Sequence, residues 1–197
     1  MNGNGPQRAG VLQPTLDILE HPNATLFQGQ DKNEILKQVI ELVSSGNYST
    51  SNGEIREALR QTSLVSLWFW LKYVAGYSGP YDQLNDGLHV DMCNFYQEMM
   101  QLTGSKAAGF APRFHLKSTI FTHGANGWEL LRNPDLVILL GSSIIDRAQE
   151  FLHITERTFD SNDMVHWLFP EVYVVDARNQ PGWNDSFMVM PNRTRYR

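Results

Sequence analysis

Cysteine is all but missing from this chain. Cys93 is the one present, so no disulfide can close within the chain, and a lone thiol suits a reducing compartment. The plain reading of that residue is a small buried side chain on a helix rather than a reactive thiol. Long apolar runs are missing as well: the longest, residues 64–75, is interrupted by Lys72 and is too short to cross a bilayer. The opening MNGNGPQRAG has no apolar stretch, so no secretory leader is expected. The sequons at Asn23, Asn47, Asn184 and Asn192 carry little weight without a secretion route. Positive charge is in short supply. With 16 Lys and Arg against 21 Asp and Glu the net charge is −5, which argues against a self-sufficient nucleic-acid binder and leaves room only for a local basic patch.

What is there describes a globular protein: 42% hydrophobic and 19% charged residues, in a chain of 197 that can build one full core and a small appendage. Residues 1–30 are rich in Gly, Pro, Asn and Gln without a sustained period, and read as a flexible lead-in. Two capping-box patterns follow, Asp31-Lys-Asn-Glu34 and Ser51-Asn-Gly-Glu54. The first should open a helix with Ile35, Val39, Leu42 and Val43 on one face until Gly46, the second a helix burying Ile55, Ala58 and Leu59. Together they form a helical preface over residues 31–61.

Residues 64–75 predict a helix with Trp68, Phe69, Trp70 and Tyr73 as core aromatics, ended by Gly76. Residues 88–102 predict another, with Val90, Met92, Phe95, Tyr96 and Met99 inward. Residues 118–131 should be helical with Ile120, Gly124, Gly127 and Leu131 along one stripe. Each internal Gly costs about 1 kcal/mol relative to Ala, so close packing on a sheet is the expected compensation. Residues 135–141 (DLVILLG) read as a strand buried on both faces of a parallel sheet. A cap at 143–146 should open a helix bearing Ile144, Ala148, Phe151, Leu152, Thr155 and Phe159, and residues 163–169 a short one before Pro170. With residues 106–111 and 186–190 as short strands, the alternation is that of an α/β domain.

The stretch that organises this pattern is 109–120, GFAPRFHLKSTI. A phosphate-binding loop needs backbone N–H groups aimed at an anion, a Lys that reaches the outer phosphates and a Ser or Thr hydroxyl for Mg²⁺. Lys117 and Ser118 fit those two roles. The glycines of G-x-x-x-x-G-K-[ST] are replaced by Ala111 and Leu116. Leu116 carries a Cβ and is expected to resist a left-handed φ. The alternative reading of the same residues is an ordinary strand-turn-helix corner.

The loop APRFHLKST, preceded by residues 68–77 (WFWLKYVAGY) and 84–96 (LNDGLHVDMCNFY) and followed by 133–155 (NPDLVILLGSSIIDRAQEFLHIT), resembles the start of the ATPase domain of a tailed-phage large terminase subunit, a family with a deviant Walker A of the form P-R-x-x-x-K-[ST]. The resemblance covers about residues 62–197. It implies a partial P-loop NTPase of α/β class, a parallel sheet flanked by helices, with ATP and Mg²⁺ as cofactors. Pro112, Arg113, Phe114, His115, Leu116, Lys117, Ser118 and Thr119 would form the cofactor-binding loop. Lys117 and Arg113 would be catalytic, Arg113 as an arginine finger on the γ-phosphate, and Ser118 the metal ligand. Asn85 and His89 are nominated near the adenine, against a cap or a solvated side chain as the plainer reading of a His at a helix start. The implied partners are double-stranded DNA, a portal protein and a small terminase subunit, in a ring on the portal in the host cytoplasm, with no membrane. The segment VYVVD at 172–176 is not taken as a Walker B strand, because Ala177-Arg178-Asn179 stands where a catalytic Glu would follow. Residues 62–197 are therefore expected to be an incomplete ATPase domain ending before Walker B, able to bind nucleotide but poor at turnover. Two other classes stay open: a non-hydrolysing assembly module with a structural loop, and a nucleic-acid-binding fragment supported by Arg193, Arg195 and Arg197.

Overall fold

A computed structural model describes residues 41, 45, 53–77, 84–85, 87–102, 104, 106, 108–173 and 184–194. The chain divides into two compact units, Met1–Phe95 and Tyr96–Arg197. The lead-in lies outside the described residues; of the first expected helix only Glu41 and Ser45 are described, and both are helical.

In the first unit α1 spans Gly53–Val65 and buries Ala58 and Leu59 as expected, while Ile55 is half-buried. The aromatic helix is not continuous with it. Ser66 takes an extended conformation and caps α2 (Leu67–Phe69), its Oγ accepting the Phe69 N–H at 3.1 Å. A π-helical turn, Trp70–Val74, follows directly. Trp68, Phe69 and Trp70 are fully buried, the core reading of this stretch, and Tyr73 packs edge-on against Trp68. Gly76, at φ +89, ends the run, and the Tyr77 N–H donates back to the Leu71 carbonyl.

The next helix, α3, spans Leu88–Gln101. Asn85 and His89 close its N-terminus reciprocally: the Asn85 N–H donates to His89 Nδ1 at 2.8 Å, and the His89 N–H donates to Asn85 Oδ1 at 3.3 Å. The pair is reciprocal in the manner of a capping box but spaced by four residues instead of three, with a histidine in the acidic residue's place, so the cap reading accounts for both residues. Met92 and Cys93 are buried, whereas Phe95 is exposed. Burial pushes the Cys93 thiol far above its ordinary value and keeps it protonated.

The second unit is built helix on helix. A π-helical turn, Thr119–Gly124, runs into α4, Ala125–Arg132. Ile120, Gly124, Gly127 and Leu131 are all buried, so the predicted stripe is real. The partner is different: α5 (Ile145–Asp160) packs on the π-helical turn and α4, with Thr155 and Phe159 as its buried positions. Ser143 does not cap α5. Ile144 is the N-cap residue without a side-chain bond, and Ser142 Oγ accepts the Ile144 N–H instead. A short α6, Asp163–Leu168, is capped by Asn162 Oδ1 accepting from the Val165 N–H, and Pro170 opens a 3₁₀ turn, Pro170–Val172.

The expected α/β architecture is overturned. Among the described residues no β-strand forms, and the only pairing is an isolated antiparallel bridge between Asn184 and Phe187 inside a tight turn. Residues 108–111 and 136–140 form neither helix nor strand. The second segment is not covered on both faces either: Val137 is 77% and Leu139 94% exposed, while Leu136, Ile138 and Leu140 are half-buried. The physical reason is that apolar residues and extended backbone make a sheet only when a neighbour supplies the second half of every hydrogen bond. Of residues 172–176, Val172 ends the 3₁₀ turn and 174–176 lie outside the described residues, Asp176 with them. No helix among the described residues is long and apolar enough to cross a membrane.

Candidate anion-binding loop

The loop at 111–118 enters from an irregular segment and exits into a helix. Its entry is braced by a ring: a Cβ on Gly109 would meet the Phe121 ring at 3.1 Å, and Phe121 in turn stacks on Tyr96 with centroids 6.4 Å apart. The close approach at Gly109 is thus to a side chain.

Phe114 has φ 67 and Leu116 φ 50, and among the described residues they are the only non-glycines in the left-handed region. Leu116 thus adopts the conformation it was expected to resist. Each such residue costs about 1–2 kcal/mol relative to an ordinary φ, and strain of this kind collects where the backbone must present itself to a ligand. Because Arg113, His115 and Lys117 keep negative φ, the sign of φ alternates along the loop, as it does in the nests that turn successive N–H groups toward an anion. Apart from the turn at 113–114, no backbone N–H from Arg113 to Thr119 finds an acceptor among the described residues; the first helical bond is from Ile120 N–H to the Leu116 carbonyl at 2.9 Å. Those N–H groups are what a phosphate would satisfy.

Lys117 folds back across the loop. Its Nζ donates to the Ala111 and Pro112 carbonyls, each at 3.3 Å, which holds the ammonium at the loop's mouth. Ser118 is exposed and in right-handed conformation, and its hydroxyl caps nothing. Thr119 is half-buried and Pro112 exposed. The Arg113 guanidinium has no partner among the described residues, while its carbonyl lies 2.9 Å from His115 Nδ1, which donates in the tautomer protonated there. The Phe114 ring is 99% exposed.

Charge favours an anion here more than the total of −5 suggests. No Asp or Glu occurs between Glu98 and Glu129, an interval that holds Lys106, Arg113, His115, Lys117 and His123. That signal was available in the sequence, in the spacing of the acids, and motif matching passes over it. Glu129 at its far end is buried, its carboxyl raised above the ordinary value by desolvation and only partly lowered by Arg132 at 3.4 Å. Burial also pushes the Tyr96 hydroxyl up to about 12, helped by the Glu129 charge and opposed by Arg132.

A metal ion has few protein ligands available. Among the described residues no group of three His, Cys, Asp or Glu side chains could hold one. Ser118 fits as a single hydroxyl ligand to Mg²⁺, with phosphate oxygens and water completing the shell, as Mg²⁺ prefers. Compared with protein families, with curated proteins and with solved structures, the chain matches none of them.

Proposed function

We propose that the chain binds the polyphosphate of ATP, with Mg²⁺, in the nest at 111–118. One observation carries the reading: two bulky residues, Phe114 and Leu116, hold a left-handed φ that nothing in their own chemistry favours, directly before a lysine that spans the loop. Lys117 would leave one of its two long carbonyl contacts for the outer phosphates, Arg113 would lie on the γ-phosphate, and Ser118 would contribute its hydroxyl to the metal. The residues of this chain thus bind and orient, and the metal would supply charge neutralisation when bound.

The resemblance to large terminase subunits supports a place in phage DNA packaging, with double-stranded DNA, a portal protein and a small terminase subunit as partners. That part of the proposal rests on the resemblance alone, since the sheet on which such a domain is built does not form among the described residues.

Calorimetric titration with MgATP tests the binding. Lys117→Ala should weaken it at least tenfold, about 1.4 kcal/mol, and Arg113→Ala should weaken ATP more than ADP. Equal affinities for wild type and Lys117→Ala would remove the site, and would leave Lys117 as a brace for the loop, which is the structural reading.

A further inference from the structure

The second unit holds a groove of about 410 Å³, walled by the irregular segment 136–140, by α5 through Ile145 and Leu152, and by Met188 and Val189. Its size is that of a specific binding cleft. Three features say what would fill it. From Val137 to Leu140 the backbone N–H and C=O groups have no hydrogen-bond partner among the described residues. A row of such groups, on a segment whose burial alternates residue by residue as a strand's does, is a template for an added strand. Asn126, only 9% exposed, lines the groove with its Nδ2 buried and without an acceptor, although buried donors are nearly always paired. Residues 136–145 (LVILLGSSII) carry no charge at all, and the two charged side chains that line the groove, Asp185 and Arg193, are of opposite sign.

We propose that this groove docks an extended, uncharged, apolar peptide segment of a partner protein, which pairs as a strand with 137–140 and offers a backbone carbonyl to Asn126 Nδ2. A small apolar molecule would fill the volume but leave four residues of backbone unpaired. A second copy of the chain fits less well on area. Val137, Leu139, Ile145 and Phe187 are 77, 94, 72 and 51% exposed, and together offer on the order of 500 Å², short of the roughly 800 Å² that each partner buries in a stable dimer. A single strand, held between α5 and the segment ending at Val189, buries most of its own surface and needs no such area. The alternation along 136–140, half-buried then exposed, is the register such a strand would meet.

The test uses the full chain and an acetylated, amidated heptapeptide of alternating threonine and valine. Amide hydrogen exchange at 137–140 should slow at least tenfold at saturating peptide, with the protein remaining monomeric by sedimentation. Leu139→Pro should abolish that protection by removing an N–H from the edge, and Leu139→Asp, which keeps the backbone intact, should weaken it. Asn126→Leu should lower peptide affinity about tenfold without lowering the thermal midpoint, since the variant removes a buried donor that the free protein leaves unpaired. Unchanged exchange at all peptide concentrations would overturn the proposal. So would protection that grows with protein concentration alone, which assigns the face to a second copy, or a groove that takes up a small apolar dye while 137–140 stay unprotected. Equal peptide affinity for Asn126→Leu would sink the carbonyl contact.

Discussion

Residues 67–71 (LWFWL) and 136–140 (LVILL) are the two most apolar five-residue runs described, and they meet opposite fates. The first is sealed, with every residue buried; in the second, Leu139 is 94% exposed. The difference is in how each run satisfies its backbone. A helical run closes its hydrogen bonds within itself and needs neighbours only for its side chains, so local sequence is enough to commit it. An extended run has no such closure, and hydrophobicity alone cannot bury it until a second segment completes its bonds. Apolar composition therefore predicts a wish to be buried, and hydrogen-bond closure decides whether a chain can act on it.

Substitutions along the two runs should break or sharpen this contrast. The largest effect belongs to Trp70→Ala, which empties a fully buried site and should cost about 3–5 kcal/mol in denaturant unfolding; a loss under about 1 kcal/mol would show that the core of the first unit is looser than its burial implies. Ser66→Ala removes the hydroxyl that starts the sealed run and should cost about 1 kcal/mol. Leu116→Gly relieves a left-handed residue and restores the Gly-Lys-Ser order, and should stabilise by about 0.5–1 kcal/mol, the gain limited by the entropy glycine adds to the unfolded chain. A destabilised Leu116→Gly would mean that the leucine packs well enough to offset its own strain. The smallest is Leu139→Thr, expected within about 0.5 kcal/mol of wild type because the side chain it removes touches little.

The buried carboxyl of Glu129 gives the contrast a pH axis. Its folded value is raised, so the folded state binds the proton more tightly than the unfolded state does, and stability falls as pH rises from the ordinary carboxyl range through the folded value. Glu129→Gln should match wild type at low pH, where both side chains are neutral, and exceed it near pH 7. The partner Arg132 is 43% exposed, so solvent takes over its charge in the variant. Thermal midpoints at the two pH values check this; a variant less stable at pH 7 would show the ion pair outweighing the burial.

Helices were legible because their signals are local. Gly76 as a stop, the stripe from Ile120 to Leu131, and the stop before Pro170 all follow from neighbours within a few turns. The break at Ser66 was not legible, because a serine between apolar residues reads equally as helix interior, and only its extended backbone turns it into a cap. The sheet was misread for the reason already given: DLVILLG spells the same letters whether or not a neighbour exists. At the loop the residue types pointed to Lys117 and Ser118, but the rule that glycine marks left-handed backbone pointed away from Phe114 and Leu116, where the conformation is found. Asn126 gave no signal at all, since an asparagine among Ala125, Gly127 and Trp128 reads as a polar interruption of a buried helix until its neighbours are known.

The π-helical turn Thr119–Gly124 closes with the Ala125 N–H on the Ile120 carbonyl, five residues back. Such a turn amounts to one residue slipped into an α-helix, and that extra residue phases everything before it by about 100° against everything after it. Lys117 and the stripe carried by α4 are therefore set in azimuth by an insertion rather than by their own composition. Deleting Thr122 would let the helix rewind to its ordinary pitch without touching a single loop residue, and would swing the loop around the helix axis by more than a quarter-turn. Where the lysine points is in this sense a property of residue count, and a substitution scan that preserves length would never reveal it.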